Sequence, residues 1–273
     1  MIKSFLKWAG SKRLMLPTLL PLIPADCKRA VEPFAGSAVF SLNAPAKIPK
    51  LVCDSNLDLV ELFKHIKNGG LGFTDSVKAL FDRVQADSQT YMDMRTRFNT
   101  LEFGDEERAR YFVYFNRYGF NGLCRYNSKG GFNVPYGYPT KKLEAPTEAL
   151  QAFVLHSANM RFCSWDFRKT LEQVRPGDFV YCDPPYVPLS ATSSFTQFDT
   201  AGFTQKDQED LAESCERAAA TSARILLSNH DTPWTRKLYR KHGAKLSALS
   251  MPRTISCKAT TRQPAKEIIA QWN

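Results

Sequence analysis

Short apolar runs punctuate the chain at residues 29–34, 51–54, 161–163, 179–183 and 224–228, each brief enough for a buried strand. Stretches with helical spacing of apolar positions separate them, for example 57–67 and 205–220. Strands alternating with helices predict an α/β fold with a mainly parallel sheet covered on both faces. Two later runs, 246–251 and 267–272, predict a hairpin at an edge of that sheet. The middle of the chain breaks the alternation. Residues 74–99 read as a polar helix and 106–117 as a second helix. A Gly- and Asn-rich stretch follows, YGFNGLCRYNSKGGFNVPYGYP, in which Ser128-Lys129-Gly130-Gly131 predicts a hairpin turn. Residues 61–144 therefore read as an insertion, with the main domain supplied by 1–60 and 145–273.

Length and charge narrow the picture. The 273 residues, 43% of them hydrophobic, suffice for one large domain carrying such an insertion. Lys and Arg total 37 against 27 acids, a net charge of +10, which favours a polyanionic partner. The charge is also patterned. No acid lies between Glu107 and Glu144, where Arg108, Arg110, Arg117, Arg125, Lys129, Lys141 and Lys142 interleave with ten aromatic side chains and several Asn residues. A second acid-free stretch, between Asp231 and Glu267, carries Arg236, Lys237, Arg240, Lys241, Lys245, Arg253, Lys258 and Arg262. The first composition suits contact with nucleic-acid bases, the second contact with a phosphate backbone. No run reaches the roughly 20 apolar residues of a membrane span, and the N-terminus lacks a signal peptide's apolar core. Seven scattered cysteines, with no CxxC, predict reduced thiols in the cytoplasm and no metal site.

Candidate chemistry concentrates in two loops. Val31-Glu32-Pro33-Phe34-Ala35-Gly36-Ser37 joins a strand to a helix predicted at 38–43, and the next strand ends in Asp54. Such a layout lets backbone approach a ligand at Gly36 and lets a carboxylate accept both hydroxyls of a ribose. The loop is not GxGxxG, which favours an adenosine cofactor without phosphates over a dinucleotide; an ordinary tight turn is the other reading. In Lys7-Trp8-Ala9-Gly10-Ser11-Lys12, Trp8 can cover a ligand and Lys12 can reach a carboxylate, though the motif by itself reads more readily as an N-terminal anchor with one buried Trp and two solvated lysines. The sharper motif is Val180-Tyr181-Cys182-Asp183-Pro184-Pro185-Tyr186. Two prolines remove two N–H donors, leaving Asp183 and the Pro184 carbonyl to accept from an exocyclic amine while Tyr186 stacks on its ring. Phe195, Phe198 and Phe203 follow in the same loop.

Taken together, KWAGSK, EPFAGS, Cys53-Asp54, NRYGFNGLCRYN, FNVPYG, YCDPPYVPLSATSSF and LSNHDT run along nearly the whole chain in an order that resembles the DNA adenine methylase (Dam) family. The resemblance implies a Rossmann-like S-adenosylmethionine-dependent methyltransferase fold with an inserted helical and hairpin recognition domain. It implies an enzyme that methylates adenine N6 in duplex GATC after extruding the base, releasing S-adenosylhomocysteine and using no metal. By the same resemblance Trp8, Lys12, Asp54 and Asp183 bind the cofactor, with Pro33, Gly36 and Asp166 around it. Asp183, Pro184 and Tyr186 form the catalytic loop. Lys7 and Arg125 match guanine contacts, Leu123 and Pro135 match thymine contacts, and Phe120 and Asn121 match residues that attend the gap left by the flipped adenine. Asn127 joins them as an amide suited to a base edge. A monomer in the cytoplasm is expected, with no membrane partner. The chain departs from the family pattern in the single glycine of EPFAGSAVF, in Phe120 where Tyr is common, and in Tyr138 where a basic residue is common. A related enzyme acting on cytosine N4 or RNA, and a silent DNA-binding protein, are the competing classes; the recognition insertion and the leading Asp183 argue against the first, and intact Asp183, Pro184, Tyr186 and Asp54 against the second.

Overall fold

The computed structural model describes residues 1–187, 202–251 and 265–273. Seven strands form a sheet in the order β3-β2-β1-β4-β5-β7-β6, with β1 at Arg29–Glu32, β2 at Lys50–Cys53, β3 at Met160–Cys163, β4 at Asp178–Cys182, β5 at Arg224–His230, β6 at Lys245–Met251 and β7 at Ala265–Trp272. The β1–β4, β2–β3 and β4–β5 pairs are parallel, whereas β7 runs antiparallel to both β5 and β6. The α/β expectation holds. The late hairpin holds too, though only β6 lies at the edge; β7 is buried between two strands, and its Ile268, Ile269 and Ala270 are fully sheltered.

Contacts divide the chain into two compact units. One comprises Met1–Ile23 and Ala35–Ser164, the other Pro24–Phe34 and Trp165–Asn273. The first holds the helices α1 (Leu16–Leu19), α2 (Val39–Asn43), α3 (Leu57–Arg83), α4 (Ser88–Phe98), α5 (Glu106–Tyr118) and α6 (Thr147–His156). Its core is aromatic: Phe5, Phe63, Phe153 and Phe162 stack in one group, Tyr91, Phe98, Phe115 and Phe132 in another. Here the structure corrects the reading of 74–99 as one helix. Helix α3 continues through Gly69-Gly70, where Gly70 kinks it at φ 55°, a conformation costly for any other residue. Its apolar face resumes with Phe73, Val77 and Phe81. A new helix starts at Ser88 because the Asp87 side chain accepts the Thr90 N–H at 2.8 Å, an N-cap that ends the connection from α3. The helical turns over Lys12–Leu22 were not anticipated; Pro17 and Pro21 sit in their first turns, where a missing N–H costs nothing.

The second unit carries β1, β4, β5, β7 and β6 with α7 (Phe167–Leu171), α8 (Gln205–Ala219) and α9 (Pro233–Lys241). Capping boxes at Thr204/Asp207 and Thr232/Thr235 start α8 and α9. Leu238 and Tyr239 turn α9 inward, and Trp272 donates its indole N–H to the His242 carbonyl at 2.6 Å. No helix among the described residues is long and apolar enough to cross a membrane.

Candidate functional site

In the second unit, β4 delivers the Asp183-Pro184-Pro185-Tyr186 loop, and side chains from β5 and α8 fix it. Ser228 donates to Asp183 Oδ1 at 3.0 Å and shares a 3.1 Å bond with the Tyr181 hydroxyl. Asn229 Oδ1 accepts the Val187 N–H, and Gln208 Nε2 donates to the Pro185 carbonyl at 2.7 Å. Asn229 in turn donates to Gln208 and to the Tyr239 hydroxyl, so the loop rests on a buried, hydrogen-bonded network. Among the described residues no donor reaches the Pro184 carbonyl, in contrast to the one after it. Tyr186 is oriented by a 2.8 Å bond to Glu267 and by its edge-to-face contact with His230; burial, then the charge of Asp183, pushes its phenol pKa well up. Phe195 and Phe198 lie outside the described residues, but Phe203 does not. It meets Phe34 edge-on at 5.7 Å, and Phe34 stacks on Phe167 at 5.5 Å and 25°. Pro33 is buried at the end of β1. Asp166 is exposed, caps α7 through the Arg168 N–H, and pairs with Arg168.

The first unit gathers Trp8, Gly36 and Asp54. Asp54 Oδ2 accepts the Gly36 N–H and Oδ1 accepts the Asn56 N–H, both at 2.9 Å. Burial raises the Asp54 pKa against the pull of these donors. A Cβ on Gly36 would lie 2.7 Å from the Trp8 indole nitrogen, and its φ of +46° is itself left-handed, so the Trp8 packing demands glycine. Lys12 is turned to the Gly10 carbonyl at 3.0 Å.

The 120–136 segment of this unit sorts its side chains by parity. Phe120, Asn121, Leu123, Arg125, Asn127 and Pro135 are exposed; Phe132, Val134 and Tyr136 are buried and Cys124 and Tyr126 half-buried beneath them. Bridges between Gly119 and Tyr136 and between Tyr126 and Phe132 hold this extended register, and Asn127 closes the Ser128–Gly131 turn. Arg125 is braced by the Asn133 side chain (2.8 Å) and carbonyl (3.2 Å). Lys7 is clamped to the segment by Asn116, which bonds the Lys7 N–H and carbonyl and the Gly122 carbonyl. Partial burial, then the neighbouring Arg117, lowers the Lys7 pKa. Lys7, Arg117 and Lys141 line a recess of about 280 Å³ with no acid on its walls. Arg117 Nε is buried there without a partner among the described residues.

Elsewhere the expected division of labour changes. Six of the ten aromatics of the first acid-free stretch are core residues, and only Phe120 (49%) and Tyr138 (73%) stand well exposed. Arg108 is buried on Asp58 rather than offered to a ligand. In the second stretch Asp231 grips Arg236 at two points, while Lys237, Arg240 and Lys241 are exposed. Arg253, Lys258 and Arg262 lie outside the described residues.

Residues 8–254 match the family described as D12 class N6 adenine-specific DNA methyltransferase. The chain belongs to that family. It is 37% identical to a DNA adenine methylase of Vibrio cholerae over 98% of this chain and 95% of that one. To DNA adenine methylases of Escherichia coli K12 and Serratia marcescens it is 36% and 38% identical, over 99% of this chain and 95% and 98% of theirs. This is an adenine-specific DNA methyltransferase. Ser228, Asn229 and Gln208 were missed as supports of its Asp183 loop. The first two stand in LSNHDT, visible as a motif but without a role until β5 is seen beside β4. The Phe34–Phe167–Phe203 cluster was also missed, since its three members are far apart in sequence.

Proposed function

We propose that this methyltransferase takes its methyl group from S-adenosylmethionine and places it on N6 of an adenine extruded from GATC in duplex DNA. The observation that supports the reading is the pair of adjacent acceptors at the end of β4: Asp183, oriented by Ser228, and the Pro184 carbonyl, which no donor reaches among the described residues. An exocyclic amine brings two N–H donors to that pair. Both acceptors polarise the N–H bonds, which leaves more electron density on the nitrogen, and they turn its lone pair toward the methyl group, the positioning an in-line displacement needs. An ordinary carboxylate is too weak a base to deprotonate a neutral aryl amine. The proton therefore leaves once the nitrogen has become cationic.

The residues present fit the donor. Each Asp54 oxygen keeps acceptor capacity beyond its backbone N–H, enough for two ribose hydroxyls. Trp8 offers an aromatic cover and Lys12 a cation for the methionine carboxylate. When bound, S-adenosylmethionine supplies an electrophilic methyl group on sulfur. No phosphate charge needs neutralising, so turnover is expected to persist in EDTA.

On the DNA side, Arg125 suits guanine O6 and N7, Leu123 and Pro135 suit thymine methyls, and Asn127 suits a base edge. Phe120 is an exposed ring able to fill the space of an extruded base, with Asn121 beside it. Lys7 contacts guanine, and the Arg117–Lys141 recess fits a phosphate.

The test is transfer of labelled methyl groups to duplexes with and without GATC, by the wild type and by Asp183→Ala. Loss of one preorganised acceptor is expected to lower turnover by on the order of 10²–10³. Near-normal turnover removes Asp183 from the chemistry; equal labelling of GATC-free DNA removes the sequence assignment.

A further inference from the structure

The inner side of the 122–127 segment holds bonds that base reading alone does not require. Asn56 caps α3 by accepting the Leu59 N–H. Its backbone N–H binds Asp54 Oδ1, and its side-chain Nδ2 donates to Cys124 Sγ at 3.3 Å. Two residues on, Asp58 Oδ2 accepts the Tyr126 hydroxyl at 2.7 Å and Arg108 Nη2 at 3.1 Å. Arg108 is itself locked by the carbonyls of Phe98 and Leu101 and lies over the Phe98 ring. The Cys124 thiol faces the Tyr126 hydroxyl at 3.8 Å, and burial pushes its pKa up to about 11, so it stays a neutral thiol. The segment is thus bolted to the first turn of α3 from below, while Leu123, Arg125 and Asn127 face outward from the alternate positions.

We infer that Tyr126 and Cys124 are positioning residues through which DNA on the outer face of this segment and the cofactor at Asp54 tighten each other's binding. The inference rests on the proposed roles of Asp54 and of the outer face. Asn56 is the shared part: one residue bonded at once to the Asp54 carboxylate and to the underside of the reading segment. DNA that fixes Arg125 and its neighbours also fixes Cys124 and Tyr126, and with them the start of α3 that presents the Asn56 N–H to Asp54. Linkage makes the effect reciprocal.

The experiment is calorimetric titration of the full-length protein with S-adenosylhomocysteine, alone, with saturating GATC duplex and with a scrambled duplex. In the wild type the GATC duplex is expected to tighten binding by on the order of tenfold, and the scrambled one less. Tyr126→Phe and Cys124→Ala are expected to cut that gain to under about threefold, with affinity in the absence of DNA kept within about twofold. Tyr114→Phe removes a buried hydroxyl that has no partner among the described residues, and is expected to keep the full gain. Cys124→Ala leaves the Asp58 bonds intact and decides the question should Tyr126→Phe not fold. A full gain in both variants overturns the inference, as does a wild type that binds both ligands with no gain. A wild type that binds neither overturns the methylation reading along with it.

Discussion

Residues 108–143 and 232–266 are both acid-free and both crowded with cations, yet the folded chain uses them differently. In the first, Arg108 is buried on Asp58, Arg110 pairs with Glu106, and Arg125 is braced by Asn133. Aromatics that look like base-stacking partners fill a core instead. In the second, α9 holds Lys237, Arg240 and Lys241 out to solvent, and of the α9 cations Arg236 alone has an ion-pair partner among the described residues. The lesson is that a donor braced in one pose can discriminate between base edges, whereas long mobile cations can only respond to charge. On the reading proposed above, base reading falls to Arg125 and its neighbours in the first stretch, and the second stretch holds the phosphate backbone.

Arg108 is where this contrast is most exposed to experiment. Arg108→Ala leaves Asp58 uncompensated in the core and is expected to cost about 3–5 kcal/mol of stability. Urea unfolding measures it; a drop under about 1 kcal/mol would mean that Arg108 belongs with the ligand-facing cations after all. Arg125→Ala tests the braced reader. It is expected to lose about 1–3 kcal/mol of discrimination at its own base pair, seen in methylation of GATC and its single-base variants. Uniform weakening on every sequence would place Arg125 among the holders.

The α9 cations come next. Changing Lys237, Arg240 and Lys241 together to Gln is expected to flatten the dependence of log K on log salt by about 0.9 for each phosphate no longer neutralised, with base preference untouched. Arg236 stays in place, because Asp231 already engages it. An altered sequence preference in this variant, or an unchanged salt slope, defeats the assignment. Smallest of all is Tyr114→Phe. Its hydroxyl is buried without a partner among the described residues, so removal is expected to be neutral or stabilising by about 0.5 kcal/mol in thermal unfolding.

Much of the architecture was legible from local pattern. The apolar runs placed β1 to β5 to within about two residues, and the alternation of strand and helix gave the parallel sheet. Asp183, Asp54 and Gly36 stood out as candidates because each follows the end of an apolar run in a loop of distinctive local composition. What escaped is long-range. Nothing near Arg108 announces Asp58, 50 residues earlier, and nothing near Pro185 announces Gln208. The helix read over 57–67 does not stop at Gly69-Gly70, because the face resumed by Phe73 and Val77 has a core to enter and carries α3 onward. Asp87 did offer a local cap signal that reading 74–99 as a single helix passed over.

The parity of the 120–136 segment bears on how such an enzyme acquires a new target. Its outward positions 123, 125 and 135 can be rewritten without disturbing Cys124, Tyr126, Val134 or Tyr136 beneath them, whereas Asn127 also closes the turn and is tied to the register. Substitution there changes the vocabulary and leaves the grammar alone. A single inserted residue before Arg125 does the reverse, since the side-chain period is two: it turns Arg125 into the interior and Tyr126 out to solvent. Drift in specificity through this segment should therefore proceed by replacement at fixed length, and natural or engineered variants that alter its length should fail as folded proteins before they fail as readers.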